Sequence, residues 1–257
     1  MESIQIGRTP NVQYLLRLGD TCLILGQRIS EWCGHAPILE EDIALSNMAL
    51  DLVGQARALL TRAGETDGSG HDEDQLAFLR NESDFLNVTM AELPRGDFAF
   101  TTLRNTMLAT LLKLLWQQLQ NSSDAELAAI AGKAIKEARY HQQHAADWTV
   151  RLGDGTAESG RRMQEALERL APYIAELFES DAVDEAAHAS GLGPRWGDLR
   201  AQWTDEMQQI LQAANLALPQ KETAFRSTGK QGRHSEHMGF ILAEMQYLQR
   251  AYPGGAW

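Results

Sequence analysis

The sequence predicts an all-α protein built from long helices, and three observations carry that expectation. Apolar residues return at three- and four-residue steps over most of the chain, and no strand-like alternation interrupts them. Four successive periodic stretches have similar lengths, each long enough to make a rod of about 30 to 45 Å.

The first helix follows from Leu15, Leu18, Cys22, Leu25, Ile29 and Trp32, which share one face; Gly34 and Pro37 then stop it. In the second, Leu45, Met48, Leu52, Ala56 and Leu59 make the face, and Ile43, Leu50, Val53 and Leu60 widen it. Gly64 ends this helix, and Glu65 to Asp74 reads as a polar loop. A shorter helical stretch, Gln75 to Met90, leads to Pro94 and Gly96. Asp97 is placed to cap the third long helix, whose core line is Phe100, Leu103, Met107, Leu111 and Leu114, with Leu108, Leu112, Leu115 and Leu119 beside it. Asn121 to Asp124 supplies a turn and cap for the fourth, carrying Ile130, Ala134, Ala138, His141, Ala145, Trp148 and Leu152. Rods of matched length are what a ferritin-like four-helix bundle requires.

Beyond the bundle the helical pattern continues less regularly. Met163, Leu167, Leu170, Ile174 and Phe178 form a stripe bent at Pro172, and Trp196, Leu199, Trp203, Met207 and Ile210 form another. The last helix, Ser235 to Arg250, is apolar on two sides, with Ile241, Met245 and Leu248 on one and Phe240 and Tyr247 on the other. Such a helix is expected between two bodies, within the chain or in a partner. No repeat or linker appears, so residues 1–257 read as one domain: a core bundle over about 11–152 and a C-terminal helical extension over about 157–251.

Composition excludes several functions. A net charge of −12 repels nucleic acid and anionic membranes. The most apolar run, Met107 to Trp116, is too short to span a bilayer and contains Lys113. No signal-peptide pattern is expected at the N-terminus. On one helix, Cys22 and Cys33 would lie roughly 16 Å apart, beyond disulfide reach, so a reducing cytoplasm is the expected compartment.

Bundles of this kind build di-iron centres from inward carboxylates and Glu-x-x-His pairs on their four helices. Here the second helix has no histidine; its inward candidates are Asn47, Asp51 and Gln55, and the relevant spacing reads Asp51-Leu52-Val53-Gly54. The third has no Asp or Glu between Phe98 and Ser123, its polar residues including threonines, Arg104 and Asn105. The fourth offers Glu137, His141 and His144, but Tyr140 stands where Glu-x-x-His requires histidine. No catalytic, cofactor-binding or metal residues are therefore assigned. Glu185-Ala186-Ala187-His188 has the right spacing but no second copy, and convergent ligands are needed. His234 and His237, with Glu236 and Glu244, are expected to be a helix start with hydrogen-bonded histidines. The alternative is an independent metalloprotein using His141/His144 or His234/His237. Arg104, Asp51, Glu137 and Lys133 raise another possibility: without metal, buried carboxylates need positive partners, and Arg104 is the candidate to supply that charge, unless it is a surface residue. The glycines at 153, 155 and 160 do not match a dinucleotide fingerprint. Lys221, Arg226, Lys230 and Arg233 are expected on a glycine-containing mobile loop that could meet an acidic partner or substrate phosphates.

Five strings carry a resemblance: Leu16 to Asp20, Glu31 to Pro37, Leu50 to Arg57, Ala134 to His141 and Leu242 to Arg250. Together they resemble the PaaC-type subunits of bacterial phenylacetyl-CoA epoxidase, in the same order and from about residue 12 onward. The resemblance implies a structural, ferritin-like subunit that pairs with a di-iron catalytic subunit in aerobic phenylacetate degradation. It also implies a further small subunit and a reductase with NADPH, flavin and an iron–sulfur cluster. A homodimer of the isolated chain, or a self-associating scaffold unrelated to oxygenation, are the other assemblies the sequence allows.

Overall fold

The computed structural model describes residues 3–219 and 224–255. Its regular structure is helical apart from one isolated bridge, Thr228 to Arg233. In chain order the helices are α1 (Pro10–Ser30), α2 (Leu39–Asp67), α3 (Glu73–Phe78), α4 (Thr89–Glu92), α5 (Phe98–Leu119) and α6 (Ala125–Gly153). There follow α7 (Ala157–Leu170), α8 (Ile174–Phe178), α9 (Ala182–Ala189), α10 (Arg200–Ala213), α11 (His237–Met245) and α12 (Tyr247–Ala251). The all-α, ferritin-like reading of the sequence holds.

Local chemistry sets the ends of the long helices. Thr9 caps α1 by accepting from Val12 N, with Pro10 at the first turn, where a missing N–H costs nothing. Asp97 caps α5 through Phe100 N, and Asp124 caps α6 through Glu126 N and Leu127 N. The α2 start has no side-chain cap; Glu40, Glu41 and Asp42 in its first turn complement the helix dipole instead. α1 packs chiefly on α2, α5 on α6, and the two pairs meet through α2 and α6. α1 and α5 are buried almost all round, because α4 and α9 also cover α1 while α7 and α10 cover α5. α2 and α6 each keep a solvent face.

Gly64 does not end α2, which runs on to Asp67 and is capped by Gly68, and three further segments depart from the sequence reading. Gln75 to Met90 is not one helix: after α3 comes a 3₁₀ turn, Glu82–Asp84, then extended chain to Val88 and the single turn of α4. Side chains of α1 supply the reason, since Asp20 accepts from Leu86 N and Thr21 from Val88 N, replacing helical bonds. The C-terminal helix breaks at Gln246, whose buried amide donates to Ala77 O and Arg80 O. Ile43, Leu50 and Val53 do not widen the core face of α2; they are exposed, as is Asn47. Periodicity registers an apolar face without saying which body covers it. The bend at Pro172 is present, as a 3₁₀ turn between α7 and α8.

Candidate functional site

The polar centre of the bundle is a seam between the antiparallel helices α2 and α6. Along it Glu41 faces His144, Asp51 faces His141, Gln55 faces Glu137, and Arg62 faces Asp124. His141 Nε2 lies 3.0 Å from Asp51 Oδ2. His144 Nε2 lies 3.0 Å from Glu41 Oε2, without the angular alignment of a hydrogen bond. Gln55 reaches deeper: its Nε2 donates to Glu137 Oε2 at 2.8 Å, and its Oε1 accepts from the Cys22 thiol of α1 at 3.7 Å. Burial, reinforced by Glu137 and Asp20, pushes the Cys22 thiol far above its ordinary range. Burial also holds the His141 imidazole below its usual value, against the pull of Asp51. The seam is thus a protonated thiol, an amide, neutral imidazole and carboxylates that bond to one another.

That donor set does not fit a di-iron centre. A centre of that type needs several carboxylates aimed at one point, whereas Gln55 fills the space between Cys22 and Glu137 with an uncharged amide. Among the described residues, no three His, Cys, Asp or Glu side chains converge in a geometry that holds a metal ion.

Arg104 is fully buried, which removes the surface reading, but it does not replace a lost metal charge beside Asp51 and Glu137. Its Nη1 donates to Leu93 O at 2.6 Å, and its charged neighbours are Arg28 and Glu31. Burial, followed by Arg28, pushes its guanidinium down to about 9. Lys133 is exposed on α6. Asp51 and Glu137 are instead balanced by hydrogen bonds from neutral donors.

The other candidate motifs are taken up elsewhere. Glu185 pairs with Arg195 at 2.8 Å on the outside of α9, and His188 is exposed. His234 and His237 do not converge: His234 has its Nδ1 2.7 Å from Glu92 Oε2 and its Nε2 2.9 Å from Phe85 O, while Glu236 and Glu244 are exposed. Burial alone would push His234 down, but Glu92 and the Phe85 carbonyl outweigh it and hold the imidazole above its ordinary value.

The basic segment is not a mobile loop over its described part. Residues 227–236 form a strap anchored by the buried Ser227, Gly229 and Lys230. Glu176 accepts from Ser227 Oγ, Lys230 N and Thr89 N, and Glu92 accepts from Ser235 N. Lys230, only 4% exposed, donates to Glu179 O and lies over Trp196, so it cannot reach a substrate phosphate. Gly229 has no room for a Cβ, which would stand 2.4 Å from Asn87 O. Arg226 pairs with Glu179 at 3.0 Å, Arg233 is exposed, and Lys221 lies outside the described residues.

Sequence reasoning missed the buried ions around this strap. Asp20 of α1 pairs with Arg80 through both guanidinium Nη atoms, and Arg17 pairs with Asp181 at 2.5 Å and Asp184 at 3.1 Å. The signal was available: Arg17 and Asp20 sit three residues apart inside a helix otherwise apolar on most sides.

The chain is 50% identical over 244 residues to one of the subunits of the 1,2-phenylacetyl-CoA epoxidase of Escherichia coli (strain K12), covering 95% of this chain and 98% of that protein. A family model described as phenylacetic acid catabolic protein matches residues 2–257. Over nearly its whole length, the chain belongs to the phenylacetic acid catabolic protein family.

Proposed function

We propose that the chain is a non-catalytic structural subunit of a multicomponent phenylacetyl-CoA epoxidase, holding a di-iron catalytic subunit in its working form during aerobic phenylacetate degradation. The observation that carries this reading is the closed seam. The polar groups at the centre of the bundle, Cys22, Gln55, Glu137, Asp51 and His141, bond to one another. The likeness to an epoxidase subunit over nearly the whole chain supports the assignment to that complex. On this reading the iron belongs to the partner, and NADPH, flavin and an iron–sulfur cluster belong to a reductase. The setting is cytoplasmic; no helix among the described residues is long and apolar enough to cross a membrane.

Reconstitution tests the proposal. The catalytic subunit and reductase are assayed on phenylacetyl-CoA with and without this chain, and each purified component is analysed for iron. The expected outcome is iron in the catalytic subunit, no turnover by this chain alone, and a large fall in epoxidation when it is omitted. Turnover of the acyl-CoA by this chain alone would overturn it.

A further inference from the structure

A cleft of about 570 Å³ opens where the end of α1, the chain between α4 and α5, and α11 come together. Its charged lining is Arg28 and Glu31 at the end of α1, Arg95 before α5, and Glu244 on α11. Phe240 and Ile241 of α11 give it an apolar wall, and Phe240 is 69% exposed. Both arginines are fixed in place. Arg28 Nε donates to Glu92 O at 2.9 Å, and its Nη1 pairs with Glu31. Arg95 lies over the Trp32 ring at 4.8 Å and donates from Nη1 to Glu31 O at 2.7 Å. A guanidinium carries five N–H groups, so Arg95 keeps donors to offer.

Arg104 stands behind this cleft. Its Nη1 donates to Leu93 O, the carbonyl joined to Pro94 of the cleft lining, and its charged neighbours are Arg28 and Glu31. It is fully buried, and its Nε and Nη2 have no hydrogen-bond partner among the described residues. Three guanidiniums thus share one nearby carboxylate, Glu31. The other acids of this region are engaged elsewhere: Glu92 with Asn87, His234 and Ser235, and Asp97 with Phe100 N and Arg162. Glu244 is exposed at the rim, where solvent and salt screen it. In a chain at −12, this is a local excess of positive charge, part of it held away from water. A buried charge without a counter-charge is costly, and an anion in the cleft reduces that cost.

The walls select the kind of anion. Guanidinium groups pair with carboxylate or phosphate oxygens through parallel N–H bonds. Phe240 and Ile241 need an apolar body beside that charge, which an inorganic ion lacks. The volume is that of a small-molecule site. We infer that this cleft beside α11 binds a small organic anion, with its carboxylate or phosphate on Arg28 and Arg95 and its apolar body against Phe240 and Ile241. The inference is independent of the structural role proposed above.

Calorimetric titration of the purified full chain tests it, with phenylacetate and phenyl phosphate as probes. Phenylacetamide lacks the charge, and acetate and inorganic phosphate lack the apolar body; these are the controls. At least one aromatic anion is expected to raise the melting temperature and to bind at least tenfold more tightly than every control. Which of the two binds tells carboxylate from phosphate. Arg95→Gln and Phe240→Ala are each expected to weaken that binding at least tenfold. Phe240→Ala alters an exposed side chain and is expected to melt with the unaltered chain, so it carries the test if Arg95→Gln does not fold. Failure of both aromatic anions to bind, or equal binding of phenylacetamide, would overturn the site. Acetate or inorganic phosphate bound as tightly as the aromatic anions would show a simple counter-ion and contradict the organic ligand. Binding undiminished in both variants would place the anion elsewhere on the chain and equally refute the inference.

Discussion

Asp20 is a buried carboxylate whose charge is met by Arg80 through both Nη atoms, with Leu86 N as a further donor. Both side chains are fully inaccessible. Removing one member of such a pair strands the other, which costs about 3–5 kcal/mol. Asp20→Ala is therefore expected to lower the urea midpoint of unfolding severely, and a change below about 1 kcal/mol would show that Arg80 finds another partner. Two histidines make opposite predictions about pH. His234 is held above its ordinary 6.5 in the folded chain, so its contribution is complete below pH 6.5 and disappears as pH rises through the raised value. His141 is held below 6.5, so its contribution is complete above pH 6.5 and is lost as pH falls toward the depressed value. Melting temperatures measured from about pH 5 to 9 should show His234→Gln flattening the alkaline side of the curve and His141→Gln the acid side. The same side flattened by both variants would contradict the assigned protonation states. These residues were hard to see in the sequence because a buried ion differs from a surface one only in its partner. Asp20 and Arg80 are sixty positions apart.

At the scale of elements, the long helices were legible because their caps are local. Asp97 and Asp124 sit where the sequence reading put them, each bonded to the first-turn amides. The short elements depend on distant groups and were not. The 75–90 stretch has helical composition, yet Asp20 and Thr21 of α1 hold its second half extended. Likewise the C-terminal helix has an uninterrupted apolar pattern, but Gln246 turns inward to satisfy two carbonyls beside α3, and α12 starts afresh. Gln246→Ala is expected to leave Ala77 O and Arg80 O without that donor, at a cost of about 1–3 kcal/mol. Hydrogen exchange should quicken selectively in α11 and α12; uniform exchange across the chain would mean the amide does not fasten these helices. The strap over residues 227–236 follows the same logic, since its lysine is basic by composition and structural by position.

For the whole molecule, the sequence predicts the all-α class and the poverty of ligands on the second and third long helices, and the structure adds what occupies the polar centre instead. Cys22 and Gln55, inward-facing by the sequence pattern but not linked by it, become the interior of the seam once α1, α2 and α6 are assembled. The sequence could not separate the two apolar faces of α2, because burial against α1 and exposure to solvent leave the same periodic trace. On the proposed function, this bonded polar centre holds no iron and the chain supports another subunit rather than transforming a substrate. Iron content of the isolated, purified chain after expression in iron-replete medium tests this claim most directly. Far less than one iron per chain is the predicted result, with iron recovered in the co-purified catalytic subunit; two irons bound per isolated chain would contradict it.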